Sequence, residues 1–159
     1  MLALAIIDMQ RWMFRLPERA AQLPPLVLAI NKLAVDFEAS GLPVFNVHVV
    51  HKADRSTWSR LMLKYDYPCM IEGTSDIEPV DGFASPASTY NIQKRANSAF
   101  LGTNFEEQLR GLAVQSWFWP ARLSMAVLDS RPPMRRSVAS RLCSPRTQWL
   151  IATQAIATL

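Results

Sequence analysis

A strand, a helix and a second strand within the first 50 residues constrain the fold more than any other feature of the sequence. Residues 2–9 form a continuous apolar run, as expected for a buried strand that ends at a loop. Pro24 suits the first turn of a helix that Gly41 ends, and residues 43–50 form a second, β-branched apolar run. Strands joined in this way pair in parallel, so the sequence predicts an α/β fold with a parallel sheet.

Length and cysteine content bound the class of protein. The chain has 159 residues, half of them hydrophobic, which predicts a single domain over residues 1–159. Cys69 and Cys143 are too few for a disulfide framework, so we expect a reducing cytoplasm. Only seven residues precede Asp8, too short a run for a signal peptide or a membrane span, so no membrane partner is expected.

A long irregular segment and two shorter elements follow the second strand. Residues 51–86 show little periodicity, and a loop of that length in a compact domain is usually functional. Residues 89–93 form a third strand candidate that ends at Lys94. Residues 103–106 read Thr-Asn-Phe-Glu, a capping box that predicts a helix through Leu109.

Three segments carry the motifs that bear on function. Residues 5–10 read Ala-Ile-Ile-Asp-Met-Gln, and residues 94–109 read Lys-Arg-Ala-Asn-Ser-Ala-Phe-Leu-Gly-Thr-Asn-Phe-Glu-Glu-Gln-Leu. A weaker segment, residues 72–79, contains Glu-Gly-Thr followed by Ile and Pro. Together with the spacing of 86 residues between Asp8 and Lys94, these segments resemble the isochorismatase-like cysteine hydrolases. The segment that begins at Lys94 is the specific one, whereas the first alone would not suffice.

The resemblance implies a fold and a pair of catalytic side chains. The fold is a three-layer α/β/α sandwich around a parallel, Rossmann-like sheet. In such enzymes a cysteine thiolate attacks an amide or related carbonyl, with Asp8 as the base and Lys94 as the cation that stabilises the thiolate. Both would lie at the carboxyl ends of parallel strands, where open α/β sheets bind ligands. The alternative is that Asp8 only supports a turn and that Lys94 is solvent-exposed.

Neighbouring polar and aromatic residues are candidates for the substrate pocket. Gln10, Trp12 and Phe14 could line it, although the aromatic residues could equally be ordinary core residues. His48 and His51 are three residues apart, so their side chains would face opposite sides of a strand. We therefore predict core or loop histidines, no metal and no cofactor.

Residues 116–159 depart from the family pattern, whereas residues 1–115 follow it. Residues 1–112 hold 11 Lys and Arg against 12 acidic residues, but residues 113–159 hold six Arg against one acidic residue. All five glycines precede residue 113. Where the family has a glycine turn and then the nucleophilic cysteine, residues 113–127 contain neither. A basic tail that binds nucleic acid is one possible explanation.

The genetic code offers a second explanation for this tail. In the frame that starts at the third base of each codon, residues 117–120 give Val-Leu-Ala, whichever synonymous codons encode them. Met125 and Ala126 then give Gly, and the next shifted codon permits Cys, about 33 positions after Lys94. We therefore predict that residues from about Ser116 onward are a frameshifted translation. No nucleic-acid partner is then needed.

Two functions are compatible with these residues. One is a hydrolase of a small-molecule amide or related bond, with an Asp–Lys–Cys mechanism whose cysteine is missing at the expected position. The other is a catalytically inactive family member, or a truncated or frameshifted product with no enzymatic role. Cys69 precedes Lys94 and Cys143 lies 49 residues beyond it, so both are expected to be structural thiols. The resemblance also implies a small-molecule substrate and a homo-oligomer.

Overall fold

The computed structural model describes residues 1–118, all of which belong to one compact unit. The strands are β1 (Leu2–Ile7), β2 (Val44–Val49), β3 (Tyr90–Lys94) and β4 (Ser116–Phe118). The helices are α1 (Pro17–Ala20), α2 (Leu23–Ala39), α3 (Arg60–Tyr65) and α4 (Phe105–Gly111), with 3-10 turns at Arg11–Phe14 and Ser75–Ile77. The frameshift hypothesis begins at about Ser116, in β4, but residues 119–159, which include the place of the missing nucleophile and Cys143, lie outside this description. The single-domain assignment remains a prediction.

The strands of residues 1–118 form one parallel sheet in the order β3-β2-β1-β4. Ile7 pairs with Val47 across β1 and β2, and Val49 pairs with Lys94 across β2 and β3. Because the strands run in one direction, the carboxyl ends of β1, β2 and β3 meet at the same edge of the sheet. The predicted parallel sheet is confirmed, and its edge brings Asp8 towards Lys94.

Helices cover both faces of this sheet. On one face α2 contributes to a cluster of buried residues that includes Leu4, Ile6, Val44, Val27, Ile30, Ala34 and Phe37. On the other face α4 contributes to a cluster that includes Ala5, Phe45, Val47, Ile92, Phe105 and Leu109. Residues of β1 and β2 alternate between the two clusters, as the two-residue period of a strand requires. The described part of the chain therefore has the three layers that the resemblance implies.

The longest helix of residues 1–118, α2, begins and ends as its sequence predicts. A proline occupies its first turn, where the missing N–H has no intrahelical partner to lose. Gly41, with φ of 66°, follows its carboxyl end in the left-handed conformation that glycine adopts without strain. No helix within residues 1–118 is long and apolar enough to cross a bilayer.

The start of α4 differs from the predicted capping box. The helix begins at Phe105, and the Thr103 hydroxyl accepts a hydrogen bond from the Phe105 N–H at 3.2 Å. Glu106 does not close the box, because its carboxylate pairs with Arg110 one turn further along, at 2.7 Å. An i,i+4 ion pair on the exposed face has thus replaced the reciprocal cap.

Candidate active site

Asp8 directly follows β1 in an unusual backbone conformation. Its φ is 59°, in the left-handed region that aspartate tolerates better than most residues other than glycine. The Asp8 N–H still donates to the Val47 carbonyl at 2.8 Å, as the next bond of the β1–β2 ladder. A left-handed residue of this kind costs on the order of 1 kcal/mol and persists only where its surroundings hold it. The turn at Asp8 is therefore a feature that the neighbouring contacts must maintain.

Lys94 is the last residue of β3, and the structure brings it to Asp8. Its ammonium nitrogen lies 3.0 Å from Asp8 Oδ2, across 86 residues of chain, and 3.3 Å from the Asn97 carbonyl. The Lys94 side chain is 3% exposed and that of Asp8 is 15% exposed. Lys94 and Ile92 are the buried residues of β3, two positions apart on the same face of the strand. The pair is a buried ion pair, not the exposed lysine of the alternative interpretation.

Burial controls the ionisation of Asp8. Removal from water raises the pKa of this carboxyl, and the charge and hydrogen bond of Lys94 lower it without cancelling that effect. Within residues 1–118, Asp8 Oδ1 is buried and has no hydrogen-bond partner. A carboxylate with a raised pKa and a free oxygen can accept a proton more readily than an exposed aspartate.

Gln10, predicted to bind substrate, is 2% exposed, and the backbone uses its amide. Its Nε2 donates to the Val49 carbonyl at 2.8 Å and to the Ile77 carbonyl at 3.2 Å. Its Oε1 accepts the Val49 N–H at 2.8 Å. Both amide hydrogens and the carbonyl oxygen are therefore engaged. Sequence reasoning placed Gln10 near the site but missed these backbone contacts.

The two aromatic candidates have different environments. Phe14 is 6% exposed and belongs to the buried cluster beneath α2, which is a core position. Trp12 is half-buried against a smaller cluster that contains Val49 and Met62. The guanidinium of Arg15 lies 3.8 Å from the centroid of a Trp12 ring, a cation–π contact. Of the two, Trp12 is the one whose side chain keeps part of its surface in solvent.

The histidines and Cys69 do not form a metal-binding group within the described chain. His51 is buried, with Nδ1 2.7 Å from the Thr57 carbonyl. His48 is half-buried, and burial lowers its pKa. No group of three or more His, Cys, Asp or Glu side chains in residues 1–118 could hold a metal ion.

Cys69 is a buried thiol in a hydrophobic cluster. It is 6% exposed and packs with residues that include Val49, Met62 and Met70. Burial raises the pKa of its thiol, which disfavours the thiolate that a nucleophile requires. No hydrogen bond or ion pair among the described residues joins it to Asp8 or Lys94. These properties are those of a packing residue.

Comparison with known proteins places these features in a family. Residues 2–117 match the family model described as the isochorismatase domain, and no curated protein matches the chain. An isochorismatase family protein from Desulfovibrio vulgaris is 30% identical with a TM-score of 0.61, covering 73% of this chain and 64% of that one. N-carbamoylsarcosine amidase from Thermoplasma acidophilum is 24% identical with a TM-score of 0.62, covering 74% and 65%.

A third solved structure has the same fold. The pyrazinamidase of Pyrococcus horikoshii, in complex with zinc, is 22% identical with a TM-score of 0.58, covering 74% of this chain and 68% of that one. This chain spans less than two thirds of the length of the Desulfovibrio and Thermoplasma proteins, with coverages of 64% and 65%. The family model nevertheless covers most of the present sequence, including both members of the buried ion pair. The chain belongs to the isochorismatase family.

Proposed function

We propose that residues 1–118 carry the acid–base part of a hydrolase that acts on an amide or related carbonyl bond of a small molecule. The observation that carries the proposal is the buried pair of Asp8 and Lys94, 3.0 Å apart where parallel strands end. The raised pKa of Asp8 suits it to take a proton from a thiol, and the adjacent ammonium would stabilise the thiolate. Membership in the isochorismatase family supports this class of reaction.

The reaction follows from the ordinary chemistry of thiols and amides. A cysteine thiol gives its proton to Asp8, and the sulfur forms a bond to the carbonyl carbon. The C–N bond then breaks, the nitrogen takes the proton from Asp8 and leaves as an amine or ammonia. Water hydrolyses the thioester, which releases the acid and restores the thiol. Asp8 and Lys94 supply two of the three side chains that this sequence of steps needs.

Turnover by the purified full-length chain tests this proposal. Release of ammonia from simple primary amides should fall by about 100-fold or more in Asp8→Ala, the usual contribution of a positioned acid–base group. Asp36→Ala is the matched control, because Asp36 is an exposed carboxylate paired with Lys32. Turnover that survives in Asp8→Ala, or none above background in the unaltered chain, would contradict an active hydrolase.

The second candidate is an inactive, frameshifted family member. The observation that favours it is the composition: a glycine-free, arginine-rich sequence follows residue 112, where the family pattern places its nucleophile. Within residues 1–118 the single thiol, Cys69, is buried with a raised pKa. Sequencing the gene decides whether one reading frame runs intact through residue 159, an outcome that contradicts the frameshift.

A frame-corrected protein separates the two candidates. If the shifted frame is restored from about residue 116, the codon that permits cysteine lies about 33 positions after Lys94. Turnover by the corrected protein alone, abolished when that cysteine becomes serine, would assign the present chain as inactive. Equal turnover by both proteins would show that the tail of the present chain supplies the missing group.

The expected partners and location are proposals of the same kind. We propose a small-molecule substrate, a homo-oligomer and a cytoplasmic location, without nucleic acid, membrane or cofactor. Light scattering on the purified chain measures its mass directly. A mass equal to that of one chain, 17.9 kDa, would contradict the oligomer.

A further inference from the structure

The ladder between β1 and β2 is completed by a side chain instead of the backbone. Asp8 N–H donates to Val47, so the regular parallel pattern would next join the Val49 N–H to the Asp8 carbonyl. The Val49 N–H instead donates to Gln10 Oε1 at 2.8 Å. The left-handed turn at Asp8 takes the chain out of the ladder at this point, and the Gln10 amide occupies the vacated place.

Both backbone polar groups of Val49 depend on Gln10. On the other side of β2, the bond to β3 comes from Val50, whose N–H donates to the Lys94 carbonyl at 3.2 Å. In a parallel pair, alternate residues turn their N–H and C=O to opposite neighbours, so those of Val49 face β1. Gln10 accepts the N–H of Val49 and donates to its C=O at 2.8 Å. Its side chain therefore acts as one more residue of β1.

The same amide also reaches a third segment. Its second donated bond ends on the Ile77 carbonyl at 3.2 Å, and the backbone of Gln10 forms a bridge with Pro79. The loop after β1, the end of β2 and the segment around Ile77 are therefore joined through one side chain that is 2% exposed. Both hydrogens and the oxygen of this amide are therefore bonded to the backbone.

We propose that Gln10 is a positioning residue for the ion pair. Its amide holds the turn at Asp8 against Val49, and Val49 is the residue that pairs with Lys94 across β2 and β3. The 3.0 Å separation of Asp8 from Lys94 depends on this connection. The inference rests on the proposed function, because positioning matters for catalysis only if the pair reacts.

The coupling between the two charges tests the proposal without any need for turnover. Titration of the Asp8 carboxyl by NMR in the full-length chain gives its pKa with and without Lys94→Met. Loss of the lysine should raise that pKa in the wild-type background, and the shift should fall to less than half in Gln10→Met. Gln22→Met is the matched control, because Gln22 is exposed and bonds only within its own turn, to the Glu18 carbonyl. It should leave the shift unchanged.

The alternative, a merely structural Gln10, predicts a different result. Gln10→Met would then lower the stability of the protein but leave the Asp8 shift intact in the folded molecules, and that result overturns the proposal. Absence of amide hydrolysis refutes the proposed function and leaves the coupling measurement valid, so the two failures are distinguishable.

A measurement on the unaltered chain applies where Gln10→Met or Lys94→Met fails to fold. The Val49 amide hydrogen should exchange at least about 100-fold more slowly than an unprotected amide, because Gln10 Oε1 is its acceptor. A Val49 amide that exchanges as fast as one in an open loop overturns the proposal.

Discussion

Lys94→Met removes the cation from the buried ion pair and keeps the length of the side chain. At 3.0 Å and an effective dielectric constant of about 20, the attraction between Lys94 and Asp8 is about 5.5 kcal/mol, much of which offsets their desolvation. The variant leaves a carboxylate that is 15% exposed without that partner. We therefore expect the free energy of unfolding at neutral pH to fall by about 3–5 kcal/mol, the usual result of breaking a buried pair.

The pH dependence of this loss follows from the direction of the Asp8 shift. Burial raises the pKa of Asp8 above 3.8, its value in the unfolded chain. The contribution of this carboxyl to stability is therefore fully present below pH 3.8 and is lost as pH rises through the pKa of the folded state. Lys94 lowers this pKa by its charge and its hydrogen bond, so Lys94→Met raises it further. The difference in stability between the two proteins should thus be small near about pH 4 and grow towards neutral pH.

Urea unfolding followed by tryptophan fluorescence at a series of pH values measures this difference. Lys32→Met is the control, because Lys32 pairs with Asp36 on an exposed face, with side chains 63% and 51% exposed. Its cost should be below about 1 kcal/mol. A Lys94→Met protein that loses no more stability than Lys32→Met, or loses the same amount at every pH, would refute the reasoning.

Three further substitutions or treatments have expected outcomes. Phe45→Ala should lower the free energy of unfolding by about 3–5 kcal/mol in urea, because the ring is fully buried and stacks on Tyr90 at 5.0 Å. Gly41→Ala should lower it by about 1 kcal/mol through its φ of 66°, although no atom lies within 4 Å of the added Cβ. Iodoacetamide should modify Cys69 at least about 100-fold more slowly in the folded protein than in urea, because Cys69 is only 6% exposed and burial also raises the pKa of its thiol. Rapid labelling of the folded protein at Cys69 would contradict the assignment of Cys69 as a buried packing residue.

Local signals in the sequence predict much of the sheet. The apolar run at residues 43–50 gives β2 to within one residue at each end, since the structure has Val44–Val49. Proline at the start of α2 and Gly41 after its end identify the crossover helix. These signals suffice because a continuous apolar run fits a strand covered on both faces, and the crossover then requires parallel pairing. The capping box at Thr103 was wrong because the Glu106 carboxylate pairs with Arg110 instead.

The prediction of the ion pair came from the family resemblance instead of from local signals. Nothing in the local sequence relates Asp8 to Lys94, which lie 86 residues apart, so their proximity could be expected only from the family resemblance. The structure then supplies the physical reason, because β2 separates β1 from β3 and their carboxyl ends reach the same edge. Burial of the lysine was likewise beyond local reasoning, since the sequence around Lys94 is polar and typical of an exposed strand end.

Gln10 could not be assigned from sequence, because a glutamine bonds a substrate and a peptide backbone through the same amide. The register decides between them: Val49 turns its N–H and C=O towards a strand that has already ended, and buried backbone groups require partners. Gln10 supplies both of these partners, because its Oε1 accepts the Val49 N–H and its Nε2 donates to the Val49 carbonyl.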